Sequence, residues 1–221
     1  MTNATAPIDA TPAPFADDDS RTVFARAVAL ASAVIDAVEP EQLALPTPTE
    51  MDVRQLLEHL VMVLRRVACA GRGEEPWSWP IDAPDADGRW SEAWREAAHD
   101  VQAAWTNDAV LTRPTTLPWG TFPGHDALDI YTNEVTVHTW DLARATGQQP
   151  EWDPAVIAVA DAAIHSQLPL ADRAPIWDAV KASLPPGVEW EDPFANAVDV
   201  PEDASAIHRL VAWNGRQPSA G

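Results

Sequence analysis

Apolar residues recur three and four positions apart along most of this 221-residue chain, and this spacing restricts its fold more than any other feature. An α-helix turns once in about 3.6 residues, so residues with this spacing share one face and can be buried together. The clearest stripe comprises Val53, Leu56, Leu57, Leu60, Val63, Leu64 and Val67. No segment alternates clearly between apolar and polar residues, as a half-buried β-strand would. The pattern therefore predicts an all-α fold.

The same spacing predicts where the other helices lie. A first helix is expected over residues 24–38, a third over 90–105, a fourth over 126–145 and a fifth over 154–168, with a last short helix within 199–215. Thr49 and Asp52 are interpreted as a capping box for the second helix, and Gly147 as the stop of the fourth. Segment 113–125 is so rich in Pro and Gly that we expect it to be irregular. These elements indicate a four-helix bundle with a helical C-terminal extension.

The domain organisation follows from where apolar residues begin. Residues 1–18 are mostly Thr, Ala, Pro and Asp, which bury too little apolar surface to offset ordering, so we expect a disordered tail. Residues 19–221 are expected to form a single helical domain. The N-terminus lacks the basic start and apolar run of a signal peptide, and no stretch is long enough to span a membrane. The single cysteine, Cys69, excludes an intramolecular disulfide, and we expect a cytoplasmic protein.

The charge balance limits the classes of partner. The chain has 34 acidic and 14 basic residues, which gives a formal net charge of -20. Such a charge repels the phosphates of nucleic acids and anionic membrane surfaces, so neither partner is expected. The expected partners are small molecules, and the sequence does not determine the oligomeric state.

Three residues in two predicted helices have the chemistry of metal ligands. Glu134 and His138 are four residues apart, so their side chains point the same way from one helix face, and that face also carries Tyr131 and Leu142. A carboxylate buried there needs a positive partner. His59 lies on an apolar stripe of the second helix. Two imidazoles and one carboxylate are typical of zinc sites that keep a position open, and the same set could hold nickel, iron or cobalt.

The residues alone leave other interpretations open. A histidine on an apolar stripe is often a hydrogen-bonded core residue, and Glu and His four apart occur by chance on many helices. Asp141 could orient the His138 imidazole from behind, or it could be an exposed or capping acid. Cys69 is about 15 Å along the helix from His59 and is interpreted as a small core residue. The remaining histidines are interpreted as surface or helix-end residues: His99, His125, His165 and His208.

Three segments resemble one known group of proteins. They are PTPTEMDVRQLLEHL at 46–60, TNEVTVHTWDLARATGQ at 132–148 and DPFANAVDVPEDASAIHRLVAWNGRQP at 192–218. In this order they resemble the DinB-like superfamily, in its actinobacterial branch related to mycothiol-dependent maleylpyruvate isomerase. The resemblance runs from about residue 20 to the end of the chain and implies a DinB-like bundle. It also implies that His59, Glu134 and His138 hold a divalent metal ion, with zinc favoured and nickel or iron as alternatives.

The resemblance further implies a chemistry. Relatives of this type use the metal to bind the sulfur of a small thiol, mycothiol in actinobacteria. We therefore expect a thiol-dependent S-transferase or isomerase that acts on a small electrophile. A metal-dependent hydrolase, or a non-catalytic metal-binding or small-molecule-binding protein, is the alternative, because a shared fold does not decide function.

Overall fold

A computed structural model of the protein describes residues 15–74, 88–117, 120–183 and 194–218. Within these ranges the chain is mostly helical, which confirms the helical part of the prediction. The helices are α1 (Ser20–Asp36), α2 (Val53–Arg72), α3 (Trp90–Ala104), α4 (Ala109–Thr112), α5 (Gly124–Thr146), α6 (Pro154–Gln167), α7 (Ala174–Ser183) and α8 (Ala206–Trp213). No helix among the described residues is long and apolar enough to cross a membrane.

The prediction that segment 113–125 is irregular is wrong, because this segment holds two short strands. Strand β1 (Pro114–Leu117) pairs antiparallel with β2 (Gly120–Pro123), and Pro114 lies opposite Pro123 at the outer end of the ladder. Proline lacks the N–H that a ladder needs, and a strand end tolerates this loss. In β1 every second residue, Thr115 and Leu117, is buried. The alternation exists, but it is too short to be recognised among the prolines and glycines.

Helix ends agree with the sequence at one of the two predicted sites. Gly147 ends α5 in the left-handed conformation with φ 74°, as expected of a C-terminal glycine. The capping box of α2, however, is formed by Asp52 and Gln55 and not by Thr49 and Asp52. Asp52 is extended and its carboxylate accepts a hydrogen bond from the Gln55 backbone at 2.8 Å, while Thr49 belongs to the preceding turn. Helix α7 was not predicted, because residues 169–198 show no clear helical spacing.

Four helices surround the main core. Helix α2 packs against α3 and α5, and α1 packs against the same two helices from the other side. Helices α6, α7 and α8 contribute to a second apolar cluster, which reaches α5 through Val137 and Trp140. Helix α5 therefore contributes to both cores, and it carries Glu134 and His138 between them.

The predicted tail lies mostly outside the described residues, which begin at Phe15. The loop around Trp77 and Trp79, for which the sequence suggests no role, also lies outside them. Of the four tail residues that are described, Phe15 stacks on the Arg21 guanidinium at 3.5 Å, and Asp17 accepts a hydrogen bond from Arg26 at 3.0 Å. The structure thus shows contacts between residues 15–18 and α1, and the disorder of residues 1–14 stays a prediction.

Candidate metal centre

The three predicted ligands meet between α2 and α5. One oxygen of Glu134, Oε1, lies 3.2 Å from Nε2 of His59 and 3.7 Å from Nε2 of His138. The two imidazole rings meet edge to face, with centroids 4.6 Å apart and planes inclined by 73°. Residues 75 positions apart in the sequence are therefore brought into direct contact by the packing of the two helices.

The spacing of the donor atoms suits a single metal ion. One ligand atom of each residue lies within 4.8 Å of the other two. For metal–ligand bonds of about 2.0–2.1 Å in tetrahedral geometry, the ligand atoms lie roughly 3.3–3.4 Å apart, so small side-chain shifts would complete such a set.

The side chains of His59 and Glu134 are 24% and 28% exposed. Glu134 is therefore half-buried at the wall of a cavity, and not fully enclosed as the sequence suggested.

Asp141 orients His138 from the side away from Glu134. Its Oδ2 accepts a hydrogen bond from Nδ1 of His138 at 3.0 Å, and its side chain is fully buried. A proton on Nδ1 leaves the lone pair of Nε2 directed at the Glu134 side, which is the tautomer that a metal ligand requires. Arg216 in turn donates from Nη2 to the same Asp141 oxygen at 2.9 Å. The exposed or capping role considered for Asp141 is therefore wrong.

The electrostatics of the cluster favour a positive charge beside Glu134. Burial opposes ionisation of Glu134, but the adjacent imidazoles of His138 and His59 outweigh it and hold the pKa of Glu134 well below its ordinary value. Burial likewise lowers the pKa of His138, yet Asp141 and Glu134 raise it above the ordinary value. Burial lowers the pKa of His59, which keeps its imidazole neutral. The raised pKa of His138 favours a positive charge beside Glu134, and a divalent cation would supply this charge with both imidazoles neutral.

A cavity of about 480 Å³ opens at the three ligands. Its walls come from α2, α5, the end of β1, the turn before α2, and the C-terminal segment around α8. The lining includes apolar residues and several polar groups: Met51, Val63, Arg66, Leu117, Tyr131, Asn133, Asn214 and Arg216. A space of this size can hold a small molecule in contact with an ion bound by the three ligands.

The C-terminal segment is joined to the site by a pair of buried amides. Asn133 donates to Asn214 at 3.1 Å, and Asn214 donates back to Asn133 at 3.0 Å. This pair holds the end of α8 against α5 one residue before Glu134, and it places Arg216 at Asp141.

Sequence reasoning did not identify Arg66, Tyr131 and Arg216 as residues of the site. Tyr131 was noted only as part of the inward face, although its position three residues before Glu134 was the available signal.

The other candidates lie away from the centre. Cys69 is buried, and its sulfur accepts a hydrogen bond from Arg72 at 3.2 Å. His99 and His208 are exposed. His165 is exposed but stacks on Trp213 with ring centroids 4.1 Å apart. His125 lies in the first turn of α5, and its Nδ1 is hydrogen-bonded to the Leu111 carbonyl at 2.9 Å.

Comparison with known proteins identifies two relatives in Mycobacterium tuberculosis, the uncharacterized proteins Rv0738 and MT0763 from two strains. Each is 30% identical to this chain over 192 residues, which cover 84% of the chain and 91% of the relative. No protein-family model matches the chain, and no solved structure matches it. With similarity along almost the whole length of both relatives, the chain belongs to the family of these mycobacterial proteins.

Proposed function

We propose that the protein binds one divalent metal ion and belongs to the DinB-like superfamily, in the branch related to mycothiol-dependent maleylpyruvate isomerase. The packing of α1, α2, α3 and α5 around one core supports a DinB-like bundle. Two of the three segments of resemblance, 46–60 and 132–148, contain the α2 histidine and the α5 Glu and His. Relatives in Mycobacterium, an actinobacterium, are compatible with a mycothiol-dependent activity.

The observation that carries the proposal is the convergence of His59, Glu134 and His138 at the wall of a cavity. Each side chain offers one ligand atom, so a tetrahedral ion would keep one position open toward the cavity. A divalent ion there, with zinc favoured, would lower the pKa of a coordinated thiol until it is a thiolate at neutral pH. Asp141 holds the His138 tautomer, and Arg216 holds Asp141 in place.

The lining of the cavity favours a reaction in which the nucleophile is a cosubstrate. Among the described residues that line it there is no cysteine and no serine, and Cys69 is buried elsewhere. The hydroxyl group of Thr49, which also lines the cavity, is hydrogen-bonded to the Thr47 hydroxyl and to the Met51 backbone N–H. A small thiol such as mycothiol would supply the missing nucleophile. In an S-transfer, a sulfur–carbon bond replaces the bond between the electrophilic carbon and its leaving group, which departs with the thiol proton. In an isomerisation, the thiol adds to a double bond and is eliminated again.

Metal content tests the first half of the proposal. Purified protein should contain about one divalent ion per chain by elemental analysis, and a chelator should remove it. His59→Ala and His138→Ala should each lose most of the metal, while His99→Ala, which alters an exposed histidine on α3, should keep it. Full occupancy in both ligand variants would refute the site.

Thiol consumption tests the second half. The metal-loaded protein is mixed with a small thiol and a panel of electrophiles, with and without chelator, and the free thiol is followed over time. A rate that needs both metal and thiol supports a transferase or isomerase. Metal-dependent turnover of an ester without thiol would instead indicate a hydrolase, and bound metal without any turnover would indicate a binding protein.

A further inference from the structure

Tyr131 is a polar residue of the cavity whose hydroxyl group the fold itself does not use. The side chain lies on α5 three residues before Glu134, lines the cavity and is 6% exposed. Within the residues that the structure describes, its phenolic oxygen is buried and has no hydrogen-bond partner. A buried hydroxyl without a partner destabilises a fold, and phenylalanine would fill the same space without this cost. The hydroxyl group therefore suggests a ligand and not a packing role.

The surroundings of Tyr131 indicate which ligand atom would suit it. Arg66 lies seven residues after His59 on the same face of α2, lines the cavity and is 8% exposed. Arg66 is close enough to interact electrostatically with both Tyr131 and Glu134. Burial raises the pKa of Tyr131, so its phenol keeps its proton and acts as a donor. The Tyr131 hydroxyl, as a hydrogen-bond donor close to the buried Arg66 guanidinium, therefore suits a ligand oxygen that carries negative charge.

We propose that Tyr131 determines ligand specificity by donating a hydrogen bond to an oxygen, preferably of a carboxylate, on the small molecule held beside His59, Glu134 and His138. The inference rests on the proposed metal site. The ligand would contact the ion at one end and Tyr131 at the other, along the side of the cavity between α2 and α5. A hydrogen bond to a charged acceptor is worth about tenfold or more in affinity.

The test uses the cobalt-loaded protein and matched thiols. Mercaptoacetate, 3-mercaptopropionate and 4-mercaptobutyrate are compared with ethanethiol, propanethiol and butanethiol, and binding is followed by the thiolate-to-cobalt absorption band. We expect one carboxylated thiol to bind about tenfold or more tightly than its alkyl counterpart. Tyr131→Phe should remove most of that preference and leave the alkyl thiols unchanged. Equal affinities in the wild type, or equal weakening of both thiols in the variant, would overturn the proposal.

Two further measurements separate ligand binding from a structural role. Tyr131→Phe should keep its metal content and unfold at the same temperature or higher, since it removes an unpartnered hydroxyl; a clear loss of stability would contradict the argument. Tyr131 is the one tyrosine of the chain, so protein labelled with ¹³C at tyrosine Cζ gives a single resonance. Carboxylated thiol should shift this resonance more than the alkyl thiol does, and an unchanged resonance at saturation would count against direct contact.

Failure of the proposed metal site or thiol chemistry would give results that differ from those expected if only the role of Tyr131 is wrong. Absence of cobalt from the wild-type protein by elemental analysis would remove the metal site and this inference with it. Cobalt bound without any thiolate band would refute the thiol chemistry alone, and acetate then replaces the thiols as the probe. Acetate should perturb the cobalt d–d spectrum at lower concentration in wild type than in Tyr131→Phe, and identical titrations would refute the role of Tyr131.

Discussion

Replacing Glu134 by glutamine tests whether the cluster holds a metal ion, because the change keeps the shape of the side chain and removes its charge. The Oε1 atom of Glu134 is within 3.7 Å of both imidazole Nε2 atoms, so it is the donor at the centre of the set. An amide oxygen is a poorer ligand for a divalent ion than a carboxylate oxygen. We expect the affinity for zinc or nickel to fall by more than about 100-fold, which is the upper effect of residues that only orient ligands.

This loss can be converted into a change in thermal stability. At a metal concentration a thousandfold above Kd, binding stabilises the wild-type fold by about 4 kcal/mol. A hundredfold weaker Kd at the same concentration leaves about 1.4 kcal/mol or less. For a chain of this size each kcal/mol shifts Tm by roughly 2–4 °C, so the metal-induced shift should fall from about 8–16 °C to about 3–6 °C or less.

The metal-free proteins should differ much less. In the structure Glu134 pairs with His59 and His138, but its side chain is 28% exposed, so solvent weakens these interactions. We expect the metal-free variant to lose no more than about 1 kcal/mol. The assay is thermal unfolding of both proteins with chelator and with added zinc or nickel. Glu58→Gln, which alters an exposed carboxylate beside His59, is the matched control and should keep the full shift. An equal shift in wild type and Glu134→Gln would remove Glu134 from the site.

Three further changes test the surroundings of the site. His59→Ala and His138→Ala should each abolish most of the metal-induced Tm shift, and His99→Ala should retain it; a full shift in either ligand variant would be the contrary result. The pKa of metal-free His138 is raised, so a proton competes with metal up to a higher pH than at an ordinary histidine, and affinity should decline as pH falls through that raised value. Asp141→Asn removes one cause of the raised pKa of His138, so metal affinity should fall by about 10-fold to 100-fold, and its decline on acidification should begin at lower pH. Isothermal titration with metal at several pH values measures both effects, and an unchanged pH profile would refute the pairing of Asp141 with His138. Asn214→Ala breaks the buried amide pair and should cost roughly 1–3 kcal/mol in chemical denaturation, whereas a neutral effect would show that the pair does not hold the C-terminal segment.

The helices were largely predictable because each is encoded locally. The apolar stripe of α2 and the stop at Gly147 depend on residues within a few turns of one another, so spacing and glycine suffice to predict them. The β-hairpin at 114–123 was not predictable in this way. Its strands have four residues each, and Pro114 and Pro123 obscure the alternation that pairing across the ladder makes possible. Strand pairing is a contact between segments, and periodicity within one segment does not reveal it.

For the candidate site, too, the sequence predicts which residues share one helix face but not the contacts between helices. Glu134 and His138 belong to one helix turn, so the sequence alone places them on one face. His59 was predicted as the third ligand because it lies on an apolar stripe, and the resemblance supported this choice over a hydrogen-bonded core histidine. The structure adds the contact itself, with His59 and Glu134 3.2 Å apart across the α2–α5 interface.

By itself the sequence determined the helical class, most helix positions, the exclusion of a disulfide, and a Glu–His pair on one face of α5. Tertiary structure decided that His59 meets this pair, that Asp141 is buried and orients His138, and that Arg216 and Tyr131 lie at the same cavity. The physical reason is the range of the interactions. Helix formation, and the helix face on which a residue lies, depend on neighbours about four residues apart. The site depends on packing between residues as far as 81 positions apart, which no local pattern encodes.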